Sequence, residues 1–163
     1  MESPQGLSGA ALAGIAGIWA AQKRDVVAAF DGTSMMPAIA PGQKVLLRCG
    51  AMPEIGDVAA YLRENQLAVH RVVARGQGGE WIMTWGDANP LPDDPVDDPS
   101  RLVGTIREVE SDGTMRPLPP PRRSLRNRLI LRLVLARHPD PPAMRRRVAR
   151  LYRLRAIWRN LFC

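Results

Sequence analysis

Between Val26 and Val109 no ten-residue helical period appears; short apolar runs recur instead, each closed off by Gly, Pro or Asp. KVLLRC (44–49), DVAAYL (57–62), LAVHRVVA (67–74), EWIMTW (80–85) and LVGTIREV (102–109) are all of strand length. The segments between them, PGQ (41–43), GQGG (76–79) and DANPLPDDP (87–95), hold the residues that turns demand. Such a pattern leaves little room for a helical bundle and predicts a mainly β chain, a small, coiled, mostly antiparallel β domain.

The flanks read differently. Residues 6–22 are uncharged and rich in Gly and Ala, which predicts a helix, but the run is shorter than the roughly 20 residues a spanning helix requires. No basic residues precede it, so a secretory leader is not expected. SDGT (111–114) and PLPPPRR (117–123) read as a boundary, because prolines cannot continue a central strand and favour polyproline II. Beyond it, two amphipathic helices are expected at about 122–137 and 143–162, parted by HPDPP (138–142). The expected organisation is therefore an N-terminal helical segment (1–25), a β domain (26–116) and a linker with a helical tail (117–163).

Charge separates these parts more sharply than the total of +7 suggests. Residues 1–120 carry 10 Lys and Arg against 15 Asp and Glu, whereas residues 121–163 carry 13 Arg against one Asp. Any anionic partner is thus assigned to the tail. Arg-rich faces opposed to Met144, Leu151, Trp158 and Phe162 suit an anionic membrane surface or a partner protein; nucleic acid is the weaker expectation, since no groove-reading motif accompanies the charge. The two cysteines, Cys49 and Cys163, form no metal-like spacing and fit a reducing compartment, so the expected location is the cytoplasm, peripheral at the inner membrane surface. No metal or organic cofactor is expected.

The chemistry-bearing residues fall within the β region. In GTSMMPAIAPGQKV (32–45), Ser34 stands in a turn ahead of a strand; His70 follows 36 residues later inside an apolar run, and WGDANPLPDD (85–94) adds carboxylates. Taken singly, these are ordinary turn, strand and loop residues. Together they supply what acyl transfer by a hydroxyl requires: a nucleophile, an imidazole to take its proton, and a carboxylate to fix the imidazole tautomer.

GTSMMP (32–37), GQKVLL (42–47), GDVAAYL (56–62), AVHRVV (68–73), WGDAN (85–89) and LVGTIREV (102–109) resemble, in order, the successive boxes of the type I signal peptidase family. The resemblance spans about half the chain and is closer to the archaeal and endoplasmic-reticulum branch, with His where other members carry Lys. Lys23 and Lys44, the only lysines, do not match the base position. The resemblance implies a fold of the signal peptidase type, Ser34 as nucleophile and His70 as general base. It implies acidic partners at Asp87 and in the Asp93–Asp94 pair, with Asp94 preferred for its D-P-V context. Met35 and Met36 are expected to pack or to form a peptide-binding rim. Gly32 stands where a Ser often assists the oxyanion hole, which leaves the Ser34 backbone N–H and Thr33 for that role, and Gln43 stands where Asp is usual. The expected activity is serine endopeptidase cleavage of a signal-like or leader peptide; the alternative is a peptidase-fold binding module with weak or no turnover.

Overall fold

Among the residues that the computed structural model describes (9–64, 66–76, 78–89, 92–120 and 150), the order is one helix followed by seven strands. These are α1 (Gly9–Gln22), β1 (Asp25–Phe30), β2 (Gln43–Cys49), β3 (Val58–Arg63), β4 (Gln66–Arg75), β5 (Ile82–Trp85), β6 (Leu102–Ser111) and β7 (Thr114–Pro117), with a 3₁₀ turn at Pro99–Arg101. The fold is mainly β, as the turn-punctuated apolar runs predict. The two predicted tail helices lie outside the described residues. No helix among the described residues is long and apolar enough to cross a membrane.

All seven strands pair antiparallel in one sheet, in the order β1-β2-β6-β3-β4-β5, with β7 extending the edge of β6 beyond the end of β3. β3 shows why the sheet has two packed sides. Val58, Ala60 and Leu62 enter the larger core with Val45, Leu47, Val69, Ile106 and Val109, while Ala59 and Tyr61 join Val72, Ile82 and Val96 on the other face. A period of two along a central strand thus feeds two apolar clusters. β1, at the end of the sheet, alternates exposed and half-buried residues. The sheet curls enough for β1 and β4, separated by three strands in the order, to line one cleft together. Irregular pairing at Leu46/Leu47, Ala60/Tyr61 and Val72/Ala74 supplies local bends.

Two segments depart from the sequence reading. β1 is not among the runs that the sequence marks as strands, and SDGT, read with the prolines as a boundary, is a hairpin turn within the β domain. Ser111 pairs with Thr114, and Asp112 and Gly113 between them both have positive φ, 52° and 73°, the geometry of a two-residue hairpin loop. The Pro-rich stretch also begins against the body: Leu118 N–H donates to the Arg107 carbonyl, and the Pro119 carbonyl accepts from Arg71 at 3.4 Å.

Candidate active site

The turn that carries Ser34 is anchored from beneath. Met35 and Ile39 are fully buried in the larger core, and Ile39 N–H donates to the Met35 carbonyl at 3.0 Å. Gln43 braces the far end of the turn, its Oε1 accepting from Ala40 N–H at 2.7 Å and its Nε2 donating to the Glu110 carbonyl at 2.8 Å. The amide therefore links the turn to β6, a role in which both donor and acceptor are used. Ser34 is half-buried and lines the cleft.

His70 projects from β4 opposite Ala59 of β3 and is 5% exposed. Its Nε2 lies 2.9 Å from Ser34 Oγ, and its Nδ1 lies 2.5 Å from Asp93 Oδ2. Asp93 follows β5 and is fixed there by its own N–H, which donates to the Thr84 carbonyl at 2.8 Å. Ser34, His70 and Asp93 thus form a continuous hydrogen-bonded line. The sequence preference for Asp94 as orienter is corrected: Asp93 is buried and points at His70, while Asp94, the next residue along an extended segment, is exposed and lines a shallow pocket with Arg63, Glu64 and Gln66.

Three further side chains, which the sequence reading missed, surround Asp93. Thr84 Oγ1 stands 2.9 Å from Asp93 Oδ2 and 2.9 Å from the Tyr61 hydroxyl; with its single proton given to the carboxylate, it can accept from Tyr61. The Tyr61 hydroxyl is also 3.3 Å from His70 Nδ1. Arg63 Nη1 donates to Asp93 Oδ1 at 3.0 Å. Burial by itself would push the Asp93 carboxyl upward. Hydrogen bonds from His70 and Thr84, with the charges of His70 and Arg63, outweigh that and hold it below its usual range. Burial, reinforced by the Asp93 charge, pushes the Tyr61 phenol up, so it remains a neutral hydroxyl.

The sign of the Asp93 shift fixes a pH dependence. A carboxyl held lower in the folded chain than in the unfolded one contributes stability above its unfolded pKa, and that contribution is lost as pH falls through the folded value. The melting-temperature difference between the wild type and Asp93→Asn is therefore expected to shrink on acidification below about pH 4, where carboxylates ordinarily titrate. Thermal melts of both proteins across pH 3–7 measure it.

Asp87, expected as a second acidic partner, is placed elsewhere. It forms a two-point pair with Arg71, Nη2 to Oδ2 at 2.8 Å and Nε to Oδ1 at 3.0 Å, and both side chains are more than nine-tenths buried. Arg71 also donates to the Gly56 carbonyl at 2.8 Å. The pair holds the turn at Gly86–Asn89, where Ala88 N–H donates to the Ser34 carbonyl at 2.9 Å. A Cβ at Gly86 would come within 2.8 Å of that carbonyl, so only glycine permits the approach. Asp87 thus acts on Ser34 through the backbone. Arg71→Met leaves the carboxylate buried without its cation and is expected to cost about 3–5 kcal/mol of stability, read from a denaturant midpoint.

The remaining expected residues are placed as follows. Met35 is fully buried and offers no surface to a peptide; Met36 is 41% exposed but does not line the cleft. Thr33 is exposed, and its carbonyl accepts from Met36 N–H at 3.2 Å. A Cβ at Gly32 would meet the Phe30 ring at 2.7 Å, so a side chain there requires the ring to move.

Ser34 and His70 open onto a cleft of about 520 Å³. Ala28, Ala29 and Phe30 of β1 form one wall, Leu67, Ala68 and Val69 of β4 the other; Asn89, Asp31, Arg63 and Gln66 add polar groups. No cluster of metal-ligating side chains occurs among the described residues. Comparison with protein-family models, with curated proteins and with solved structures finds no match to this chain.

Proposed function

We propose that the protein is a serine endopeptidase of the signal peptidase type that cleaves a signal-like or leader peptide lying in the cleft between β1 and β4. The observation that carries this reading is the line from Ser34 Oγ through His70 to the buried Asp93 carboxylate, opening onto an apolar cleft. In the proposed reaction His70 Nε2 takes the Ser34 proton as Oγ attacks the scissile carbonyl. The proton then passes to the departing amine, and water, deprotonated by the same nitrogen, releases the acyl group. Asp93 holds the Nδ1–H tautomer throughout and stabilises the imidazolium. The Ser34 backbone N–H is the proposed oxyanion donor, with Thr33 beside it.

The cleft walls suit an extended peptide, since a sheet edge offers main-chain hydrogen bonds and alternate side-chain pockets. The Arg-rich segment 122–162 is proposed to hold the enzyme at an anionic membrane surface on the cytoplasmic side, or on a partner protein, with nucleic acid less favoured. A second reading, a peptidase fold that binds peptide with little turnover, rests on Gly32. Its lack of a side chain removes one oxyanion donor, an absence that typically costs about 10²–10³ in rate. Incubating the wild type, Ser34→Ala and His70→Ala with a library of signal-like and leader-like peptides, followed by mass spectrometry, separates the two. Cleavage by the wild type alone supports the peptidase; equal inactivity of all three supports the binding module.

A further inference from the structure

Among the described residues, Arg63 is the one Lys or Arg bonded to the buried carboxylate behind His70, and it comes from outside the boxes that carry the family resemblance. Its side chain is 52% exposed and lines the cleft, yet its Nη1 reaches inward to Asp93 Oδ1, the oxygen that His70 does not use. The two carboxylate oxygens are thereby divided. Oδ2 receives His70 and Thr84, and Oδ1 receives Arg63. A carboxylate held only through Oδ2 is free to swing about its Cβ–Cγ bond; one held at both oxygens is not.

We infer that Arg63 is a positioning residue for the proposed peptidase: it locks the Asp93 carboxylate in the plane that holds His70 toward Ser34. The inference rests on the peptidase reading for its kinetic consequence but not for its electrostatic one. Among the described residues, the groups facing Asp93 are Tyr61 and Arg63 from β3, His70 from β4 and Thr84 from β5. Of these Arg63 alone carries a permanent charge. Glu64 and Asp94, both exposed, line the shallow outer pocket with Arg63. Removing it takes a positive charge from the Asp93–His70 pair, which must then hold its protons more tightly.

The test compares the wild type, Arg63→Met and Arg63→Lys by two measurements. The first is the pH profile of peptide cleavage. Arg63→Met is expected to lower kcat by roughly 10- to 100-fold with KM little changed, the size of one hydrogen bond to a charged group, and to move the acid limb to higher pH; Arg63→Lys recovers most of both. The second is the NMR titration of the Asp93–His70 pair, which needs no turnover. His70 and His138 are the only two histidines, so a His138 variant assigns the signal. Its midpoint is expected to rise in Arg63→Met and to return with lysine. An unchanged midpoint in a folded Arg63→Met protein overturns the inference. A shifted midpoint in a protein that cleaves nothing keeps Arg63 as the positioning residue and removes the peptidase reading instead.

Discussion

Replacing Ser34 by Ala is expected to reduce peptide cleavage by on the order of 10⁴-fold or more while leaving the fold in place. The variant lacks the atom that forms the acyl bond, and what remains is the binding cleft and any backbone donors, which in serine peptidases support only a small residual rate. Structurally the change removes one oxygen from a half-buried turn whose anchorage comes from Met35, Ile39 and Gln43. His70 Nε2 loses one partner, a cost of about 1–3 kcal/mol if no water replaces it. His70→Ala should fall to a similar rate. The double variant should be little worse than either, because groups that act as one unit do not contribute additively. Steady-state rates with matched thermal melts read both effects.

Asp93→Asn and Asp94→Asn are expected to differ by a factor of about 10³ or more, although the two residues are neighbours. At position 93 the amide cannot simply accept from Nδ1–H as the carboxylate does. Its NH₂ group favours the tautomer with the proton on Nε2, where it can no longer take the Ser34 proton, and an equivalent change in a serine peptidase costs about 10⁴ in kcat. The exchange also removes the acceptor of Thr84 and leaves Arg63 an uncharged amide oxygen in place of a carboxylate. At position 94 the side chain is exposed and lines the outer pocket, while His70 Nδ1 is held by Asp93, so cleavage should stay within a few-fold of the wild type. The pair of variants settles which carboxylate orients the imidazole through parallel kcat measurements at one pH.

Much of the sheet was legible because five strands are written as apolar runs between obligatory turn residues, and their spans agree closely with β2 to β6. β1 escaped because DVVAAF is followed by the Ser34 turn with little punctuation ahead of it, and its alternation is that of an end strand. β7 escaped for the opposite reason: the prolines that follow Thr114–Pro117 dominate the composition, while the Asp112–Gly113 turn that makes the hairpin is only two residues long. Ser34 and His70, read from residue order, stand 2.9 Å apart. The choice between Asp93 and Asp94 was not legible. Two adjacent carboxylates on an extended segment point to opposite sides, and only the pairing of that segment with Thr84 decides which one faces inward. Tyr61, Thr84 and Arg63 carried no signal at all, since each is an ordinary strand residue until the pairing of β3, β4 and β5 side by side gathers them around one carboxylate.

The most direct measurement is intact-mass spectrometry of the full-length protein after exposure to a serine-directed acylating probe, with the adduct mapped by peptide fragmentation and Ser34→Ala run alongside. One adduct per chain, located on Ser34, absent from Ser34→Ala and formed faster as pH rises through the titration of the Asp93–His70 pair, is the predicted result. No adduct on the folded wild type across that pH range, or equal labelling of the wild type and Ser34→Ala, contradicts a serine nucleophile activated by His70.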